Sequence, residues 1–253
     1  MIRRYLPTMG VGLALIVSPW VYAGLLVDSY TLADKYDHLE LALSNLVPLL
    51  FVLLATLLYG LDLMQELTAG AWLPIQVRSG GPWAYLRGHL RRAALIGCGV
   101  MALLVVTIAI GTLWLTPVLE LIAYGPATAS PSSDERFTFS QFFAWGDIAF
   151  VGIYAVWVGI HGALYGMLGV LSLINIGNRL LALALPAISQ FLIEFLLASL
   201  RLERFGFGAA VFSTNMEQGP LWMPLIPTIA LCAGIAWLAW FTLRPARSPA
   251  GYQ

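Results

Sequence analysis

The sequence predicts an all-α, polytopic membrane bundle of about six transmembrane helices, and three observations carry that prediction. The 253 residues are 60% hydrophobic and only 10% charged, whereas soluble domains carry roughly a quarter charged residues. The apolar residues gather into runs of about twenty, the length that crosses the hydrocarbon core of a bilayer. The basic residues then fall unevenly on the connections between those runs, as they do when one side of a membrane protein faces the cytoplasm. With 13 basic and 13 acidic residues the net charge is zero. That balance leaves no basic excess for nucleic acid and no acidic run for a disordered tail.

The first span covers about residues 10–27 and follows Arg3 and Arg4. It continues through Trp20 and Tyr22 without a small-x-small cleavage site, so it reads as a retained helix rather than a signal peptide. The second covers about 45–61, the third 93–115, the fourth 148–174, the fifth 180–200 and the sixth 221–243. Pro224 and Pro227 lie in the first turns of the sixth span, where amides lack intrahelical partners and proline is tolerated. Residues 125–136, rich in Pro, Ser and Ala, read as a mobile external connection. The partly apolar stretch 201–219 reads as external chain at the membrane surface. The whole chain forms one transmembrane domain, with no internal repeat and no GxxxxGK[ST] phosphate loop.

Orientation follows from the arginines. With a cytoplasmic amino terminus, Arg3, Arg4, Arg78, Arg87, Arg91, Arg92, Arg179, Arg244 and Arg247 lie inside, against Lys35, Arg136, Arg201 and Arg204 outside. Reversing the chain would violate the positive-inside rule, so both termini are expected in the cytoplasm. A single Lys against twelve Arg, with abundant Ala and Gly, points to a bacterial source, and hence to the bacterial cytoplasmic membrane.

Few residues offer chemistry. Cys98 and Cys232 lie in apolar runs with no CxxC or Cys/His cluster, and no HExxH occurs, so no metal site is expected. A haem held within a bundle usually takes two His at membrane depth, but of His38, His89 and His161 only the last lies in a span. No catalytic residue is assigned. In the fourth span Gly152, Ala155, Gly159, Gly162, Gly166 and Gly169 recur at steps of 3, 4, 3, 4 and 3, which makes a stripe almost free of side-chain bulk. Such a stripe lets another helix approach closely in lipid, either as static packing or as a surface that slides during transport. Glu194 follows Gln190 by four residues on the fifth span, so the two share a face. An intramembrane carboxyl faces a cavity or a protein partner rather than lipid. Gln190, Glu194 and His161 are therefore the candidate lining of a cargo path, with helix–helix hydrogen bonding as the alternative role.

Residues 63–92 form the longest cytoplasmic connection, with Glu66, Gly70, Trp72, Arg78, Trp83, Arg87, Arg91 and Arg92 in that order. Arginines that touch anionic lipid would account for the basic cluster but not for the ordered Glu-Gly-Trp-Arg sequence. In this order, and in its six spans, the chain resembles the permease subunits of ABC-2-type ATP-binding-cassette exporters, and among them the small permeases of bacteriocin- and lantibiotic-immunity type. Members of that family carry Glu, a few residues, Gly, an apolar stretch and then Arg after the second span, followed by a basic residue opening the third. Glu66, Gly70, Arg78 and Arg87 match it.

The resemblance implies a partner ATPase that binds ATP and Mg, a second permease chain in a homo- or heterodimer, contact with membrane lipid, and no cofactor in this chain. It implies that 63–92 docks on the ATPase, with Trp72 in the apolar run 71–77 as the anchor and Gly80, Gly81 and Pro82 reversing the chain. The cargo would be amphipathic: a peptide, lipid or drug-like molecule. Two readings from other classes stand beside it, a membrane-anchor subunit of a redox or other enzyme complex and a non-transporting accessory membrane protein.

Overall fold

The computed structural model describes residues 10, 32, 34–43, 46–120, 122, 139–212 and 220–244. The first expected span and the 125–136 connection lie outside the described residues. Every regular element among the described residues is helical. They are α1 (Lys35–Leu43), α2 (Leu46–Thr68), α3 (Trp72–Arg78), α4 (Pro82–Ala109), α5 (Asp147–Asn175), α6 (Arg179–Ser199), α7 (Phe207–Val211) and α8 (Trp222–Thr242). α4 runs on through a π-helical stretch, Ile110–Leu115, to Thr116–Val118, and short 3-10 turns precede α5 and α7. Five helices are long and apolar enough to cross a membrane: α2 from Leu50, the 37-residue helix Pro82–Val118, α5, α6 and α8. The chain is therefore a multi-pass membrane protein.

The spans expected at 148–174, 180–200 and 221–243 coincide with α5, α6 and α8 to within a few residues. The second and third differ. α2 continues past residue 61 to Thr68, and α4 begins at Pro82 rather than 93. The polar side chains that end the apolar runs, Asp62, Glu66 and His89, are buried in the bundle instead of marking loops, with Glu66 and His89 facing one another. Polar groups that find partners inside protein do not end a membrane helix. The expected cytoplasmic loop is accordingly a helical hairpin.

α4 and α5 pack closest, and small residues are the cause. A Cβ at Gly162 would lie 2.5 Å from the Gly97 carbonyl oxygen and 2.6 Å from Met101 Cγ, and a Cβ at Gly97 would overlap the Gly162 carbonyl. Gly159 abuts Cys98 and Ala102, Gly166 abuts Ala93, and Gly169 passes to Thr56 of α2. Gly152 does not join this seam: it is exposed, with nothing within 4 Å of where a side chain would begin. One helical turn beyond Ala155 the stripe has rotated off the α4 contact, because steps of 3 and 4 follow a straight helix while two crossing helices touch only locally.

Polar side chains close the helix ends. Arg179 donates from Nη1 to the Leu173 carbonyl at 2.7 Å, which satisfies the C-terminus of α5, and Asn178 Oδ1 accepts from the Leu181 amide at 3.2 Å, which caps α6. At the other end of α5, Asp147 accepts from Lys35 Nζ at 2.5 Å and from the Tyr36 hydroxyl at 2.7 Å, tying α1 to the bundle.

Candidate functional site

The segment between α2 and α4 is built by its glycines. At the end of α2 the Ala71 amide donates to the Glu66 carbonyl and the Gly70 amide to that of Leu67, with Gly70 at φ +67°. At the end of α3 the Gly81 amide donates to Gln76 and that of Gly80 to Val77, with Gly80 at φ +90°. Both are Schellman closures, and their left-handed position is one that glycine takes without steric cost. The spacing from Glu66 to Gly70 is therefore that of a helix end. Gly81 then precedes Pro82 at the first turn of α4.

α3 has no buried residue, and Leu73 and Val77 are 55% and 75% exposed. Trp83, Arg87 and Arg91 continue the exposed surface along one face of α4, at steps of four. Trp72, expected as the docking anchor, is half-buried and packs in part against this chain's own core. An indole beside an apolar bundle gains more by covering it than by projecting into water. Glu66 points inward and is 7% exposed. Its partners were not apparent from the sequence. The Tyr85 hydroxyl donates to Glu66 Oε1 at 3.0 Å, His89 Nε2 lies 3.4 Å from the same oxygen, and the Tyr59 hydroxyl meets His89 Nδ1 at 2.7 Å.

The His89 ring thus bridges the two helices, with one nitrogen on the Tyr59 hydroxyl and the other toward the Glu66 carboxylate. Arg92 and Asp62 lie within electrostatic reach of the Tyr59 hydroxyl. Tyr59, Asp62 and Glu66 share one face of α2, and Tyr85, His89 and Arg92 one face of α4, at helical spacings of three and four. Through Tyr59, Glu66, Tyr85 and His89 the two legs of the hairpin are fastened together. Polar groups removed from water are held in place by such mutual pairing, which ties the two legs to each other near α3.

The remaining expected residues fall into two groups. His161 is 1% exposed, with Nδ1 3.0 Å from the Trp157 carbonyl and Nε2 3.0 Å from the Thr228 hydroxyl, so it links α5 to α8. Glu194 and Gln190 are apart from it and face the 206–208 backbone, where Glu194 Oε1 accepts from the Gly208 amide at 2.6 Å. Of the stretch 201–219, expected at the membrane surface, residues 213–219 lie outside the described residues, and α7 packs back onto the bundle. Its end carbonyls accept from α5, Ala210 from Trp157 Nε1 at 2.7 Å and Val211 from the Tyr154 hydroxyl at 3.3 Å. Both ends of this five-residue helix are thus satisfied by side chains of longer helices, which lets an otherwise marginal helix persist. No protein-family model, curated protein or solved structure matches the chain.

Proposed function

We propose that the chain is the membrane-spanning permease subunit of an ATP-binding-cassette exporter, working with a separate ATPase and a second permease chain. The observation that carries the reading is α3: a seven-residue helix set between two membrane helices, with both flanking turns fixed by glycine and an outward face of Leu73, Val77 and Arg78. An exposed apolar face flanked by arginines and an exposed Trp has the composition of a protein-docking surface. Its legs are joined by the Glu66–His89–Tyr59 chain, so force applied to α3 reaches α2 and α4 together.

On this reading the docking contacts are Leu73, Val77, Arg78, Trp83 and Arg87, while Glu66, Gly70 and Trp72 set the shape of the hairpin. The distribution of charge supports a cytoplasmic position for this end. Arg78, Arg87, Arg91, Arg92, Arg179 and Arg244 lie at or near helix ends on the hairpin's side of the bundle, against Lys35, Arg201 and Arg204 on the other. A redox anchor finds less support, because both ring nitrogens of His161 are engaged within the bundle.

The test is affinity purification of the full chain from its native membrane. An ATP-hydrolysing subunit should come with it, and Val77→Asp together with Arg78→Glu should lower the retained ATPase about tenfold or more, the scale of a lost hot spot. Both residues are exposed, so insertion and thermal stability should not change. Absence of any ATPase, or an undiminished complex in the double variant, would refute the reading.

A further inference from the structure

α6 consists of two unlike halves that meet at a proline. Pro186 stands inside the helix. It has no amide to give the Ala182 carbonyl one turn back, and its ring crowds that oxygen. Within a membrane such a break is tolerated where a neighbouring hydroxyl reaches the loosened backbone. Here the Thr56 hydroxyl of α2 lies 3.2 Å from the Leu183 carbonyl. That contact fixes the first half alone. Ala182, Leu183, Pro186 and Ala187 are buried, and the Leu183 side chain lies against Gly60 of α2, where any side chain would overlap it.

From Ile188 to Ser199 no residue of α6 is buried. Among the described residues, the side-chain hydrogen bond from this second half to another element is that of Glu194, whose Oε1 accepts from the Gly208 amide at 2.6 Å. Gly208 itself is held. α7 is bonded to α5 through Trp157 and Tyr154, and Phe212 just beyond it meets Phe51 of α2 edge-on, with ring centres 5.1 Å apart. One turn from Glu194, Gln190 Oε1 is buried without a hydrogen-bond partner among the described residues. An acceptor left unsatisfied costs free energy, so the docked position of this half is opposed as well as held.

We propose that the second half of α6, residues 188–199, is an arm that swings at Pro186 and is latched to α7 by Glu194. The backbone bond absent at the proline lets the two halves bend apart, and the first half stays on α2 while they do. For its role the arm rests on the export reading, in which the swing would part α6 from the bundle and open it toward the acyl layer. The hinge itself is measured without reference to transport.

The experiment uses the purified full chain with Cys98→Ala and Cys232→Ala in phosphatidylcholine nanodiscs, and reads distances between paired spin labels. Leu196→Cys with Val156→Cys follows the arm, and Leu180→Cys with Val156→Cys follows the first half; all three positions are exposed. Each pair should give one distance in the parent. Glu194→Ala should add a second distance to the arm pair and leave the other pair unchanged. Pro186→Ala restores the missing amide, so adding it to Glu194→Ala should suppress the second distance. Should Glu194→Ala not fold, Gly208→Pro removes the same hydrogen bond from the α7 side, in a first helical turn that accepts proline, and should give the same second distance.

An unchanged arm distance in Glu194→Ala or Gly208→Pro would overturn the latch. Equal shifts in both pairs, or a second distance that survives Pro186→Ala, would overturn the hinge. A released arm in a chain with no copurifying ATPase would keep the hinge and remove its role in export. Fixed distances in a chain that carries its ATPase would remove the hinge and keep the exporter.

Discussion

His38 on α1 is buried to 5% exposure, and its Nδ1 has no hydrogen-bond partner among the described residues. Burial penalises the imidazolium and pulls its pKa below the ordinary 6.5. Between that lower value and 6.5 the unfolded chain binds the proton more readily than the folded one. Stability should therefore fall as pH drops below 6.5, by at most about 1.4 kcal/mol per pH unit. Thermal midpoints at pH 8 and pH 5 check this: the drop should be smaller in His38→Asn than in the parent, and equal drops would assign the pH response to other groups. His161 marks the other outcome for a buried histidine. Its ring spans from the Trp157 carbonyl to Thr228, so the polar residue most suggestive of a lined path is a bridge between helices.

At the scale of helices, α5, α6 and α8 were legible because their hydropathy is uninterrupted over a full membrane span. α2 and α4 were legible only in their apolar halves. Asp62 and Glu66 look like loop residues until Tyr85, His89 and Arg92 are known to face them, and that pairing depends on a hairpin register that composition does not encode. α7 was hidden for a related reason, since Glu194, Trp157 and Tyr154 reach it from 14 to 57 residues away. The glycine stripe was visible, but its partner Gly97 was not, because Gly97, Gly99 and Gly111 in that apolar run follow no helical period. The contact now separates its members. Gly162→Leu and Gly97→Leu should lower folded yield and stability by about 1–3 kcal/mol or more, since the added atoms meet backbone that cannot rotate away. Gly152→Leu should be tolerated, because nothing lies within 4 Å of it. Yield and melting of the three variants in detergent decide the matter, and equal losses in all three would contradict the seam.

For the whole molecule, sidedness is the property on which function depends. In a chain with Cys98→Ala and Cys232→Ala, Ser79→Cys at the α3–α4 turn and Arg201→Cys after α6 should be labelled by an impermeant thiol reagent from opposite faces, Arg201→Cys from outside intact cells. Labelling of both from one face would overturn the arrangement of the helices across the membrane. The contact of Gly97 with Gly162 has a mechanical consequence. Two backbones that touch without intervening side chains have nothing soft between them to yield, so a tilt of α4 presses directly on α5 and the pair moves as one beam. The continuous helix from Pro82 to Val118 has 37 residues and, at about 1.5 Å per residue, a reach of about 55 Å. A tilt of about 5° at the α3 end would carry its far end about 5 Å sideways over that reach. The same beam carries the clasp of Lys35 and Tyr36 on Asp147 at the top of α5. A small push on one face of the membrane would thus be read on the other as a displacement the width of a side chain.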